Sequence, residues 1–359
     1  MLNATEQNRC FFEQMQQPNL IRNVQTDFVL YQQGDVLVPT SVNEAHPDNG
    51  WVVSPLTQII GYAQDELPKL RSVALRALSR ILIAVLSGPL RLAKLDRLQV
   101  LNNQCLSTNV YSDQWQHLNL AQLRQLAVEK FPHHTVMLRS LNATQNAAII
   151  HQAQQDGWLP VVTRQVYLYR DHDRWWARHN ARIDDRLLQQ PDWRFQLLDP
   201  NDKAQMARAE RLYNQLYIDK YSRHNVQFSA DWFRVFSANG LLELYGLFYR
   251  NQLVGIAGLY GVDQTLTAPV IGYDTDQPIQ RALYRRLIAF VIRYAMDRQL
   301  TLNLSAGSPD FKRRRGGEAA IEYSYIYVRH LSFYRRSVWR LLSGLSRYFY
   351  RPLLERFKL

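Results

Sequence analysis

Along this chain, short runs in which apolar and polar positions alternate are interleaved with longer stretches whose apolar residues return every three or four positions. These are the rhythms of half-buried strands and amphipathic helices. DVLVP (35–39) and WVVSP (51–55) bracket the turn-like NEAHPDNG and predict two short strands. From Asp65 to Leu86, the residues Leu67, Leu70, Val73, Ala74, Ala77, Leu78, Ile81 and Leu82 form one stripe with Lys69, Arg71, Arg76 and Arg80 facing water, which predicts a long amphipathic helix. RLQVLNN (97–103) reads as a strand, 118–131 as a helix and HTVMLRSL (134–141) as a strand. A helix over Asn142–Gln155 is ended by Gly157, and WLPVVTRQVYLYR follows as a strand pair.

The second half repeats the theme. It predicts a helix over Lys203–Tyr221, strands LLELYGLFYR and QLVGIAGLYG around a turn at Asn251, and strand TLTAPVIGYD. A helix over Ile279–Arg298 and strands LTLNLSA and AIEYSYIYVR complete it. The pattern is mixed α+β in two units of similar element order, 1–170 and 203–330. The stretch 171–202, broken by Pro191 and Pro200 and without a clear period, joins them. The last segment, 331–359, predicts a basic amphipathic helix with Val338, Leu341, Leu342, Leu345 and Phe349 on one face. Arg335, Arg336, Arg340, Arg347 and Arg351 lie around the other face, and Pro352 bends or ends the helix.

Composition narrows the class. Gly and Pro are sparse, at 15 and 14 of 359 residues, so long disordered or collagenous readings are excluded. Two separated cysteines, Cys10 and Cys105, supply neither a disulfide framework nor a cysteine-rich zinc site, and the histidines at 133, 134 and 151 form no ligand set, so no metal is expected. The opening residues have no signal-peptide h-region, and Val73–Leu86 is interrupted by Arg76 and Arg80, so a cytoplasmic protein without a spanning helix is expected. The formal charge of +12 favours anionic partners. From Lys312 onward twelve Lys or Arg face three Glu, so most of the excess sits at the C-terminal end. That end suits peripheral contact with an anionic inner-membrane face or an acidic carrier.

The run LTLNLSAGSPDFKRRRGGEAAIEY, with Phe311, Lys312, Arg315, Gly316 and Gly317, resembles the C-terminal motif of FemABX-like acyltransferases. The strand 266–273, helix 279–298 and following strand are similar to the central unit of the GNAT N-acetyltransferase fold, and VMLRSLN followed by NAAIIHQAQQDGW resembles a GNAT ending. The resemblance implies tandem GNAT-like units, each a mixed, largely antiparallel sheet with flanking helices. It also implies transfer of an acyl or aminoacyl group to a small-molecule or peptidyl amine. The donor would be a phosphate-bearing co-substrate, acyl-CoA or acyl-carrier protein, with no tightly bound cofactor; the FemABX alternative is charged tRNA. A ligand-binding or membrane-associated module without catalysis is the rival from another class. Where GNAT enzymes carry a glycine-bearing pyrophosphate loop, this chain reads DQPIQRALYRRLI, keeping Gln277 but no glycine, with Arg281, Arg285 and Arg286 near the helix start.

Candidate chemistry clusters accordingly. Lys312, Arg313, Arg314 and Arg315 before Gly316 and Gly317 put cations on a turn able to expose N–H groups, the combination that binds phosphate. Asn303 and Ser305 share one face of a strand beside the expected catalytic backbone. YIDKYSRHN gathers Lys220, Arg223 and His224 at a helix end, with His224 a candidate general base because its ordinary pKa lies near neutrality. Glu322 and Tyr323 are further acid–base candidates. For each there is a bland alternative: a solvated basic loop, strand-end hydrogen bonding, or a histidine complementing a helix dipole.

Overall fold

Eleven strands join one continuous sheet in the order β1-β2-β3-β4-β11-β5-β10-β9-β8-β7-β6. They are β1 (Asp27–Gln33), β2 (Val36–Asn43), β3 (Leu98–Leu101), β4 (Thr135–Asn142), β5 (Leu159–Tyr169) and β6 (Trp193–Leu197). β7 (Glu243–Tyr249), β8 (Gln252–Val262), β9 (Thr265–Tyr273), β10 (Thr301–Asn303) and β11 (Glu318–Tyr327) follow. This computed structural model describes residues 2–46, 48–67 and 72–357. All neighbours are antiparallel except β3 with β4 and β9 with β10.

The sheet is palindromic about its centre. In each sequence half a parallel strand pair encloses a helix: α4 (Leu120–Lys130) lies between β3 and β4, and α10 (Leu283–Asp297) between β9 and β10. A shorter helix follows the second strand in both, α5 (Ala147–Gln155) and α11 (Pro309–Arg313). The next strand then crosses into the other half: β11 pairs with β4, and β5 pairs with β10. β5 and β11 pair with each other along almost their whole length. Neither half closes its own sheet.

Alternation along the strands places helices on both faces. On β8, Ile256 and Tyr260 face a cluster with Met206, Leu212, Trp232 and Phe236 of α8 (Lys203–Asn214) and α9 (Ala230–Ala238). Val254, Ala257 and Leu259 face Leu287, Val291 and Ile292 of α10. In the first half, Val136 and Leu138 pack under Leu123, Ala127 and Ile149 of α4 and α5, while Met137 and Ile326 face Leu90 and Trp339. The first helix, α1 (Ala4–Gln14), is set by a capping box between Asn3 and Glu6 and buries Phe11 against Phe236 of the second half.

Several expectations change. Trp51–Val53 is buried but is no strand, because the Val52 and Val53 carbonyls are taken by side chains: Asn43 Nδ2 and Asn103 Nδ2 donate to Val53 and Val52, and Arg139 Nη1 donates to Val52 at 3.0 Å. The chain turns there into a π-helical turn, Thr57–Gly61, and α2 (Tyr62–Glu66). The helix expected over 65–86 is therefore two helices, α2 and α3 (Val73–Leu92), and its Lys69, Leu70 and Arg71 lie outside the described residues. The expected pair in WLPVVTRQVYLYR is the single strand β5. The joining stretch holds α6 (His172–Trp176), α7 (His179–Leu188) and β6. Gly157 does end α5, with φ +77° and Trp158 N donating to Ala153 O at 2.9 Å.

The C-terminal segment is helical: α12 (Phe333–Leu345), a π-helical turn Ser346–Tyr350 and α13 (Arg351–Phe357). Its orientation is rotated from the one its hydrophobic stripe predicts. Arg335, Trp339, Ser343 and Ser346 are the buried positions, whereas Leu341, Leu345 and Phe349 are exposed. Arg335 determines this rotation. Its Nε donates to Ala93 O at 2.9 Å and its Nη2 to Arg97 O at 3.1 Å and Thr135 Oγ1 at 3.3 Å, tying α12 to the segment before β3 and to the start of β4. Arg335→Ala is expected to destabilise the fold by about 3 kcal/mol through the loss of these charge-assisted bonds. A urea midpoint unchanged from wild type would refute that anchoring role.

Candidate active site

β9 and β10 pair only over 265–267 and 301–303; beyond this the chain after β10 parts from β9 as the loop Leu304–Ser308, still bonded to β5 by Leu304 N to Tyr167 O at 3.0 Å and Tyr167 N to Ser305 O at 3.2 Å. The edge of β9 past Thr267 therefore has no strand against it. A cavity of about 590 Å³ opens at this splay. Ala268 and Ile271 of β9, Tyr284 and Ile288 of α10, and residues 304–308 form one side. Leu216, Tyr217 and Tyr221 of the π-helical turn Gln215–Tyr221 form a second, and Trp51, Tyr62, Thr163 and Arg164 from the first half close the third. Tyr350 stands at its rim.

The wall is aromatic, with two cations. Arg164 is held by Glu322, with Nε to Oε1 at 2.7 Å, and its guanidinium lies 5.3 Å from the Trp51 ring. Lys312 is almost fully buried, and its Nζ donates to the carbonyls of Leu304 at 2.7 Å, Ser305 at 3.2 Å and Ala306 at 2.7 Å. Burial, aided by the charge of Arg164, pulls its pKa down to about 7. Lys312 thus braces the loop that lines the cavity. That loop is unusual backbone: Ser305 and Ser308 have φ of +57° and +50°, in the left-handed region. Burial raises the pKa of the Tyr284 phenol and outweighs a hydrogen bond to Ser308 that lowers it, so the phenol stays protonated at neutral pH.

Of the residues picked out in the sequence, Ser305 and Lys312 line this cavity, and Glu322 reaches it through Arg164. The expected exposed phosphate turn is not present as such. Arg315 is buried against Asp184 and stacks 3.5 Å from the Phe311 ring centre, and Arg285 shares the same carboxylate. The N–H groups of Gly316 and Gly317 are spent on Arg313 O and Lys312 O, each at 3.0 Å. The glycines serve close packing, since a Cβ on Gly316, at φ +90°, would lie 2.9 Å from Trp175 Cα. Arg313 bonds Asp310 and the Tyr167 hydroxyl. Arg281 lies over Tyr249 and bonds Gln277, which also bonds Asp274. Arg286 is buried against Leu187 O, Gln190 and the Trp193 ring.

His224 lies outside the cavity, in a separate depression with Thr57, Gly61 and Asp96, its Nε2 3.9 Å from Asp65 Oδ1. Lys220 and Arg223 are exposed nearby. Asn303 points to the mirror-related splay between β3 and β4, a second hollow of about 300 Å³, where its Nδ2 donates to Gln145 Oε1 at 3.0 Å. Tyr323 packs in the first-half core. Sequence reading missed Trp51, Tyr62, Tyr217, Tyr284 and Arg164. Only Arg164 carried a signal, as a lone cation within an apolar strand.

No family model and no curated protein sequence matches the chain. Among solved structures it is similar to FemX, with a TM-score of 0.52 at 7% identity over 96% of this chain and 99% of that one. Similarity extends to L-PGS from Bacillus licheniformis, with a TM-score of 0.45 at 10% identity over 62% and 76% of the two chains. A tandem GNAT protein from the clavulanic acid biosynthesis pathway has a TM-score of 0.35 at 14% identity over 57% and 67%. The chain shares the fold of FemX, a mixed and mostly antiparallel sheet with flanking helices.

Proposed function

We infer that this chain is an amide-forming acyl- or aminoacyltransferase whose reaction runs in the cavity between β9 and the loop 304–308. The observation that carries this reading is the unpaired edge of β9 beside an aromatic-walled cavity. Backbone N–H groups on such an edge are preorganised donors for the oxyanion that develops when an amine attacks an acyl carbonyl. The amine nitrogen bonds to the carbonyl carbon, the bond to the donor's sulfur or oxygen breaks, and water at the cavity mouth takes the amine's proton, which returns through solvent to the group that protonates the leaving sulfur or oxygen. The protonated Tyr284 hydroxyl, held by Ser308, is placed to return a proton to the leaving group. Positioning of two substrates supplies the rest, and no covalent enzyme intermediate is required.

The donor is a phosphate-bearing carrier, acyl-CoA or acyl-carrier protein, and the acceptor a small-molecule or peptidyl amine. Charged tRNA is the second donor reading, favoured by the segment before α10. There Arg285 and Arg286 are engaged by α7 and the residues after it, and the stretch 274–283 has no glycine to let backbone approach a pyrophosphate. The purified protein is to be incubated separately with acyl-CoA, acyl-carrier protein and charged tRNA, each with a mixed amine pool, and the products read by mass spectrometry. One donor is expected to give an amide, with Tyr284→Phe slowing it about 10²-fold. No amide from any donor would leave the non-catalytic ligand-binding module as the correct reading.

A further inference from the structure

We propose that α3 and α12–α13 form a face that docks on an anionic lipid bilayer, with α3 lying in the interface. Both helices cover the same core cluster, built on Leu98, Val100, Met137 and Ile326: α3 packs through Ile83 and Leu90, α12 through Val338, Trp339 and Leu342. Both then turn further apolar side chains away from the protein. On α3 the outward positions Ala74, Leu78, Ile81, Val85 and Leu92 follow helical spacing, and Leu78, Ile81 and Val85 are 62–63% exposed. On the C-terminal segment Leu341, Leu345, Tyr348 and Phe349 are exposed. An aliphatic stripe of this length held in water on a folded protein marks a docking surface.

Charge names the occupant. From Ser72 to Leu95 there are four cations and no acid, and from Ser332 to Leu354 five cations and no acid. Of these, Arg80, Arg91, Arg340, Arg347 and Arg351 are exposed. The counterpart must be negative and offer hydrocarbon. Nucleic acid would satisfy the arginines and leave the aliphatic stripe in water. A second copy would satisfy the stripe and set arginine against arginine. An anionic bilayer takes both, with apolar residues below the headgroups and cations among the phosphates. At about 1.5 Å per residue the 20-residue α3 is about 30 Å long. Among the described residues no helix is long and apolar enough to cross a membrane, so α3 would lie along the surface.

The test is co-sedimentation of the full-length chain with vesicles of phosphatidylcholine alone or with 30% phosphatidylglycerol, at physiological salt. Binding is expected to the anionic vesicles only. Leu78→Glu with Ile81→Glu and Val85→Glu is expected to abolish it without lowering the melting temperature, because these side chains are outside the core. Arg80→Gln with Arg340→Gln, one cation from each helix, is expected to weaken partitioning about 30-fold, at about 1 kcal/mol per cation converted to a binding ratio. Wild type that ignores both vesicles overturns the proposal, as does a triple variant that binds like wild type. A wild-type dimer that the triple variant dissociates, or retention on tRNA or an acidic carrier protein with no vesicle binding, would overturn it too.

Discussion

Asp184→Asn is expected to be the most damaging single substitution in the second half, lowering stability by about 3–5 kcal/mol. Asp184, on α7, is buried, and its two oxygens are divided between Arg315 after α11 and Arg285 on α10. Arg315 is itself buried, so the amide leaves its guanidinium with Phe311 O and the Phe311 ring as partners and no counter-charge. Arg285 is 40% exposed and water compensates it, so most of the loss comes from Arg315. The check is a cycle of Asp184→Asn, Arg315→Met and the double variant by urea unfolding. The double is expected to be less destabilised than the sum of the singles; strict additivity would show that the pair is uncoupled.

Lys312→Met is expected to cost about 10²-fold in turnover at the candidate site, because the loop 304–308 loses the donor that joins three of its carbonyls and the cavity wall is no longer fixed. Its stability signature distinguishes it from a general loss of structure. The ammonium has a pKa of about 7 in the folded chain against an ordinary 10.5. Between those values the unfolded chain keeps a proton that the folded chain has released, so this group makes stability rise with pH across that window. Urea midpoints measured at several pH values from about 6.5 to 9.5 are expected to climb more steeply in wild type than in Lys312→Met. Parallel profiles would show that Lys312 titrates normally in the folded chain.

What was legible in the sequence was periodicity. The strand, helix, strand, helix order of each half, the Gly157 cap and the α+β class all follow from local pattern. What was not legible depended on partners distant in sequence. The carbonyls of Val52 and Val53 are satisfied by Asn43, Asn103 and Arg139, and nothing within WVVSP indicates that. The arginines near 281–315 look free on a linear reading because Asp184, about a hundred residues earlier, is not visible as their partner. The hydrophobic stripe of α12 is split, with Val338 and Leu342 inward and Leu341 and Leu345 outward, and Arg335, expected on the polar face, is buried because it finds five acceptors among residues 93–135. The aromatic wall of the candidate site is assembled from four separate stretches of chain, and a tyrosine in any one of them reads as ordinary core.

The exchange of β5 and β11 bears on how the chain is made. β4 is synthesised long before the strand that covers its edge, Glu318–Tyr327. Until then the first half presents an open, fully buried-type strand to its surroundings while the intervening chain is added. Such an edge is a template for pairing with another nascent chain of the same sequence. Two chains could trade their late strands and lock into an intertwined dimer with every ladder satisfied. Production of this protein is therefore expected to respond to elongation speed and chaperone supply more than to any single side chain, and cutting the gene at the midpoint would yield two products that each lack a central strand.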